Sequence, residues 1–133
     1  MKTVFADTAY WIAIASPRDE WAVPAARARS ILGDARIVTI DEILTEFLNS
    51  LASGGESVRR QAVKMVREIL EASNVTVIRQ SRGSFLGALE LYERRTDKGY
   101  SLTDCTAMQA MYGERYLRSP YERRPLCPGI FEF

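Results

Sequence analysis

The 133-residue sequence contains no histidine. That absence excludes a Ser-His-Asp triad, a Cys-His nucleophile pair and any imidazole-ligated zinc. Cysteine is scarce as well. Cys105 and Cys127 make no ladder of metal-ligand spacings, and the simpler expectation is a reduced, cytoplasmic protein. Charge of either sign is not in excess: 18 Lys+Arg against 17 Asp+Glu leave +1, so any contact with nucleic acid needs a local patch rather than a global basic field. No apolar run approaches the ~20 residues of a membrane-spanning helix. Lys2 followed by Asp7 does not make a signal peptide. The phosphate-loop pattern G-x-x-x-x-G-K-[ST] is missing, which argues against nucleotide hydrolysis by that route. What is present is a hydrophobic share of 47% and a charged share of 26%, enough for a packed core, and the length predicts one domain over residues 1–133.

Hydrophobic patterning then divides the chain. Thr3-Val-Phe-Ala6, Arg36-Ile-Val-Thr-Ile40 and Val75-Thr-Val-Ile78 are short apolar runs of the kind found in buried parallel strands. Between and after them lie helical stretches: Thr8 to Ala15, Asp19 to Leu32, Asp41 to Leu51, Ser57 to Ala72 and Ser84 to Arg95. Pro24 predicts a late start or a kink in the second. Ile43, Phe47 and Leu51 share one face of the third. Arg59, Arg60, Lys64 and Arg67 of the fourth lie away from its apolar stripe, as a solvated face would. Strands alternating with helices predict an α/β fold with a parallel sheet.

Three acids stand at element ends or beside an apolar stripe. Asp7 follows the first strand, where ligands gather in open α/β sheets. Glu46 lies amid Leu44, Phe47 and Leu48. Asp104 stands three residues after Ser101, the spacing of a capping box with Asp in place of the usual Glu or Gln. Each also has an ordinary reading: Asp7 and Asp104 suit the start of a helix whether or not they do anything else. In a chain without histidine, clustered carboxylates have one main catalytic use, the binding of Mg²⁺ or Mn²⁺ through oxygen. Such a cation lowers the pKa of a bound water and stabilises charge on a phosphoryl group.

Phe5-Ala-Asp7-Thr8, Thr39 with Leu44-Thr-Glu46, and Tyr100-Ser-Leu-Thr-Asp104-Cys105 together resemble the PIN-domain family, and within it ribonuclease toxins of the VapC type. The likeness spans residues 1 to about 111, and its last motif is the most specific. The resemblance implies a Rossmann-like α/β/α sandwich and a Mg²⁺- or Mn²⁺-dependent endoribonuclease. It further implies an RNA substrate, a cognate antitoxin and a homodimer. Carried onto this chain, it makes Asp7, Glu46 and Asp104 metal-binding and catalytic acids, with Thr8 and Ser101 as supporting hydroxyls and Asp97 in a structural role. An aspartyl-phosphate receiver domain fits less well, since the residue two after Asp7 is Ala9 rather than a second acid.

Residues 112–133 depart from the family. The family's ending, a short strand and a further Asp in a Thr-Asn-Asp-x-His-Phe-like segment, is replaced by a tail with three prolines and no β-periodicity. Arg123 and Arg124 stand roughly where that Asp is expected. Displacing the codons of Ser119 to Pro128 by one nucleotide permits a segment close to the family's ending, so a frameshift after about Met111 is one origin for the tail. The expectation is a last strand missing or altered, with Tyr116, Leu117, Ile130 and Phe131 covering the sheet irregularly and reduced stability as the result. Two functions stay open: a ribonuclease that grips RNA phosphates through arginines, with Arg115, Arg118, Arg123 and Arg124 as candidates that equally suit ordinary surface charge, or a catalytically impaired PIN-like module that binds antitoxin or RNA without cleaving.

Overall fold

A computed structural model of the chain describes residues 2–113, 121 and 125–132. The elements run β1 (Thr3–Ala6), α1 (Thr8–Ala15), α2 (Ala22–Leu32), β2 (Arg36–Ile40), α3 (Asp41–Ser50), α4 (Glu56–Glu71), β3 (Val75–Ile78), α5 (Arg82–Arg94), α6 (Leu102–Gly113), β4 (Pro125–Cys127) and β5 (Ile130–Glu132). The three predicted strands and the helices between them are all present. The strands and α1 have the expected bounds; the ends of α2 to α5 differ by one to three residues, most at α2. There Asp19 accepts the Trp21 N–H (2.9 Å) in a turn, and the helix begins at Ala22. Pro24 then falls in the first turn, where its missing N–H breaks no intrahelical bond.

The described strands form one sheet in the order β3-β2-β1-β5-β4. β1, β2 and β3 are parallel, with Phe5 opposite Val38 and Val38 opposite Thr76. Successive strand residues point to opposite faces. Val4, Phe5 and Ala6 are all buried, as are Val38, Thr39 and Ile40, so both faces of the central strands are covered. This is the PIN-like α/β arrangement, helices packed on both sides of a mostly parallel sheet. Tyr10, Ile43, Phe47 and Met111 fill the main core. A smaller cluster of Ala88, Leu91, Cys105 and Met108 lies between α5 and α6. The basic residues of α4 are exposed as expected, with Arg60 paired to Glu56 one turn away. Both cysteines are buried free thiols. No described helix is long and apolar enough to cross a membrane.

The tail narrows one expectation, a last strand missing or altered, and corrects another, an irregular cover. A last strand is present, and it is antiparallel: β5 pairs with β1, Phe131 opposite Phe5, and β4 folds back on β5. Nor is the cover irregular, because Ile130 and Cys127 join the main core. The turn between the two strands is closely fitted. Gly129 has φ +88°, a left-handed conformation that favours glycine, and a Cβ there would sit 2.3 Å from the Tyr10 backbone nitrogen. Pro125 starts β4 at the outer edge of the sheet, where a missing N–H costs no ladder bond. Tyr116 and Leu117 lie outside the described residues.

Candidate active site

Asp7 directly follows β1 and caps α1, its carboxylate accepting the Thr8 N–H at 2.8 Å. Its backbone is held from β2 and from the turn between β4 and β5. The buried Thr39 hydroxyl of β2 donates to the Ala6 carbonyl at 2.9 Å, and the Asp7 N–H donates to the Gly129 carbonyl at 2.7 Å. Glu46 projects from the more exposed side of α3, and the Thr8 hydroxyl donates to its Oε1 at 2.7 Å. Asp104 lies in the first turn of α6. The expected capping box is formed reciprocally: the Asp104 N–H donates to Ser101 Oγ (3.0 Å), and the Ser101 N–H donates to Asp104 Oδ2 (2.9 Å). Asp97 is ion-paired with Arg95, whose guanidinium lies 5.2 Å from the centre of the Tyr100 ring. That contact braces the loop leading into Ser101.

The three acids share one field. The Asp7 carboxyl is raised above the ordinary carboxylate value, chiefly because burial disfavours its charge. The Thr8 N–H opposes that rise, whereas the negative charges of Asp104 and Glu46 add to it. Like charge of this kind is relieved by a cation, and oxygen donors suit a hard one, so the donor chemistry fits Mg²⁺ or Mn²⁺. The positions fit less completely. Among the described residues no three acid, thiol or imidazole side chains are grouped as a ready metal cage. One oxygen of each acid is already tied by a hydrogen bond within the site: Asp7 Oδ1 by Thr8, Glu46 Oε1 by Thr8 and Asp104 Oδ2 by Ser101.

A residue unforeseen in the sequence meets this cluster. Tyr121 inserts its ring edge-on against Phe5 (6.1 Å between centroids) and Phe131 (5.2 Å), and tilted against Tyr100 (6.2 Å). It thereby bridges the main core and the smaller one. Its hydroxyl is buried and lies within the electrostatic reach of the Asp7 and Asp104 carboxylates. Burial, followed by those two negative charges, pushes the phenol far above its ordinary value, so it stays neutral. No periodicity marks a lone tyrosine in an irregular tail. The Pro128-Gly129 pair was the one local signal available, a turn between two short apolar runs. Arg115, Arg118, Arg123 and Arg124, the candidate RNA-gripping residues, lie outside the described residues, as do Glu114 and Glu122.

No protein-family model matches the chain, and no curated protein matches it. Among solved structures, the fold is similar to the crystal structure of Mycobacterium tuberculosis VapC20, a Sarcin-Ricin loop cleaving toxin. The TM-score is 0.70 at 22% identity, over 84% of this chain and 82% of that one. The likeness establishes the fold.

Proposed function

We propose that this protein is a metal-dependent endoribonuclease of the VapC type, a toxin neutralised by a cognate antitoxin. The observation that carries the reading is that Thr8 holds both Asp7, through its N–H, and Glu46, through its hydroxyl, within the field of Asp104. This cluster lies on a fold similar to that of a toxin described as cleaving the Sarcin-Ricin loop. Mg²⁺ or Mn²⁺ held there would supply an activated water and charge stabilisation for phosphodiester hydrolysis. The chain's own part is positioning. Asp7 is fixed by backbone bonds to the flanking strand and helix, and Asp104 by its capping box. Glu46 is oriented through Oε1 by Thr8, which leaves Oε2 as the second oxygen through which it binds or accepts a proton. The exposed apolar side chains Phe85, Leu86, Leu89 and Tyr92 of α5 support a protein–protein contact, in keeping with the proposed homodimer and antitoxin.

The test is cleavage of a structured RNA in Mn²⁺. Asp7→Asn keeps the helix cap but removes a charged oxygen donor. It should lower the rate by about 100-fold or more, at least the loss typical of perturbing a metal site's supporting shell. Cleavage insensitive to that substitution and to chelator rejects the reading. A second reading, a module that binds antitoxin or RNA without cutting, is favoured by one observation: among the described residues, the tail side chain near the acids is a tyrosine. Absence of Mn²⁺ binding at the cluster decides for it.

A further inference from the structure

We infer that Thr39 is a positioning residue for Asp7, acting through the peptide group that joins Ala6 to Asp7. The clamp on that peptide stands on geometry; its consequence for metal binding rests on the proposed cation site. Both polar atoms of this one peptide group are engaged, by segments far apart in the chain. The buried Thr39 hydroxyl donates to the Ala6 carbonyl at 2.9 Å, and the Asp7 N–H donates to the Gly129 carbonyl at 2.7 Å. A peptide group is planar and trans, so its oxygen and hydrogen point in opposite directions. Bonds at both ends fix its rotation, and with it the direction in which the Asp7 side chain leaves the backbone (φ −97°). The last β1–β2 pair is Phe5 opposite Val38, so the Thr39 hydroxyl acts one residue beyond it, where β1 gives way to the acids.

The residue type argues the same way. Thr39 is fully buried, between Val38 and Ile40, which are buried too. A valine would fill nearly the same space, and a buried hydroxyl costs free energy unless it is hydrogen-bonded. Thr106, the other buried threonine among the described residues, turns its hydroxyl back on its own helix at the Leu102 carbonyl. The Thr39 hydroxyl instead crosses to β1, onto the peptide that leads into Asp7. Thr39 thereby does from β2 what Gly129 does from the tail.

Two substitutions separate positioning from packing. Thr39→Val keeps the shape and removes the hydroxyl; Thr39→Ser keeps the hydroxyl and removes a methyl group. On the full chain, Mn²⁺ affinity is measured by isothermal titration calorimetry. Hydrogen exchange of the Asp7 amide is followed by NMR without metal, relative to the amides of Val4 and Phe5. Thr39→Val should bind Mn²⁺ about tenfold more weakly, within the range for residues that orient a metal's ligands. Its Asp7 amide should exchange about tenfold faster relative to Val4 and Phe5, the scale of one lost hydrogen bond. Thr39→Ser should bring both close to the wild-type values, although its lost methyl group lowers the melting temperature. Unchanged Mn²⁺ affinity in Thr39→Val overturns the positioning role. So does a loss in Thr39→Ser as large as that in Thr39→Val, since the effect then follows packing rather than the hydroxyl. Wild-type Mn²⁺ binding that is absent, or that survives Asp7→Asn, rejects the cation site instead. The exchange ratio then decides the clamp by itself: faster in Thr39→Val and restored in Thr39→Ser supports it, and any other pattern overturns it.

Discussion

On one side β1 pairs with β2 and, beyond it, β3, parallel strands of four or five residues separated by helices. On the other side it pairs with β5 and, beyond it, β4, antiparallel strands of three residues joined by Pro128-Gly129. The first flank is held by repeated, ordinary features: buried β-branched runs, amphipathic crossovers and helix caps. The second is held by a few close contacts, chiefly Gly129 against α1, Ile130 in the core and Tyr121 between two clusters. Asp7 sits where the flanks meet, tied to Thr8 on one side and to Gly129 on the other, with Tyr121 nearby. A site at such a junction can change its chemistry when only one flank changes.

The largest expected effect lies on the antiparallel flank. Gly129→Ala places a methyl group against the Tyr10 backbone and forces a left-handed φ on a residue that resists it. It should cost about 3 kcal/mol or more in urea unfolding. A loss below about 1 kcal/mol would mean that the flank adapts and is not closely fitted. On the parallel side, Ser101→Ala removes one half of the α6 capping box and should cost about 1 kcal/mol. It should also loosen Asp104, with a measurable drop in Mn²⁺ affinity; stability lost without that drop would detach the cap from the site.

The smallest effect concerns Asp7 itself. Its carboxyl is raised above 3.8 in the fold, so the folded state holds the proton more readily than the unfolded chain does. Metal-free stability should therefore fall as pH rises from about that value through the folded pKa, and stay lower above it. Asp7→Asn abolishes that slope: relative to its own acid baseline, the variant becomes the more stable of the two as pH rises. With Mn²⁺ saturating, the order should reverse at neutral pH, because the cation stabilises only the ionised aspartate. A wild-type stability that rises with pH across this window, without metal, contradicts the account.

Much of the parallel flank was legible in advance. Val75-Thr-Val-Ile78 and Arg36-Ile-Val-Thr-Ile40 are short β-branched runs, and Ile43, Leu44, Phe47, Leu48 and Leu51 recur at helical spacing. The Ser101–Asp104 box was readable because a cap is a contact between residues three apart, and local sequence encodes local contacts. The strands of the tail were not legible for the opposite reason. Three-residue strands carry too little pattern, and Pro125 argues against any strand away from an edge. Their pairing partner, β1, lies more than a hundred residues earlier in the chain.

The sequence by itself determined which residues could serve: three acids, no histidine, hydroxyls at Thr8 and Ser101, and the order of helices and strands that carries them. Periodicity and capping are short-range properties, and they survive without knowledge of the fold. Only the tertiary structure decided that the tail returns to β1, that Gly129 must be glycine, and that Tyr121 reaches the acids. Those are contacts between distant segments, set by steric fit and by the burial of charge, and neither is written in the spacing of residues along the chain.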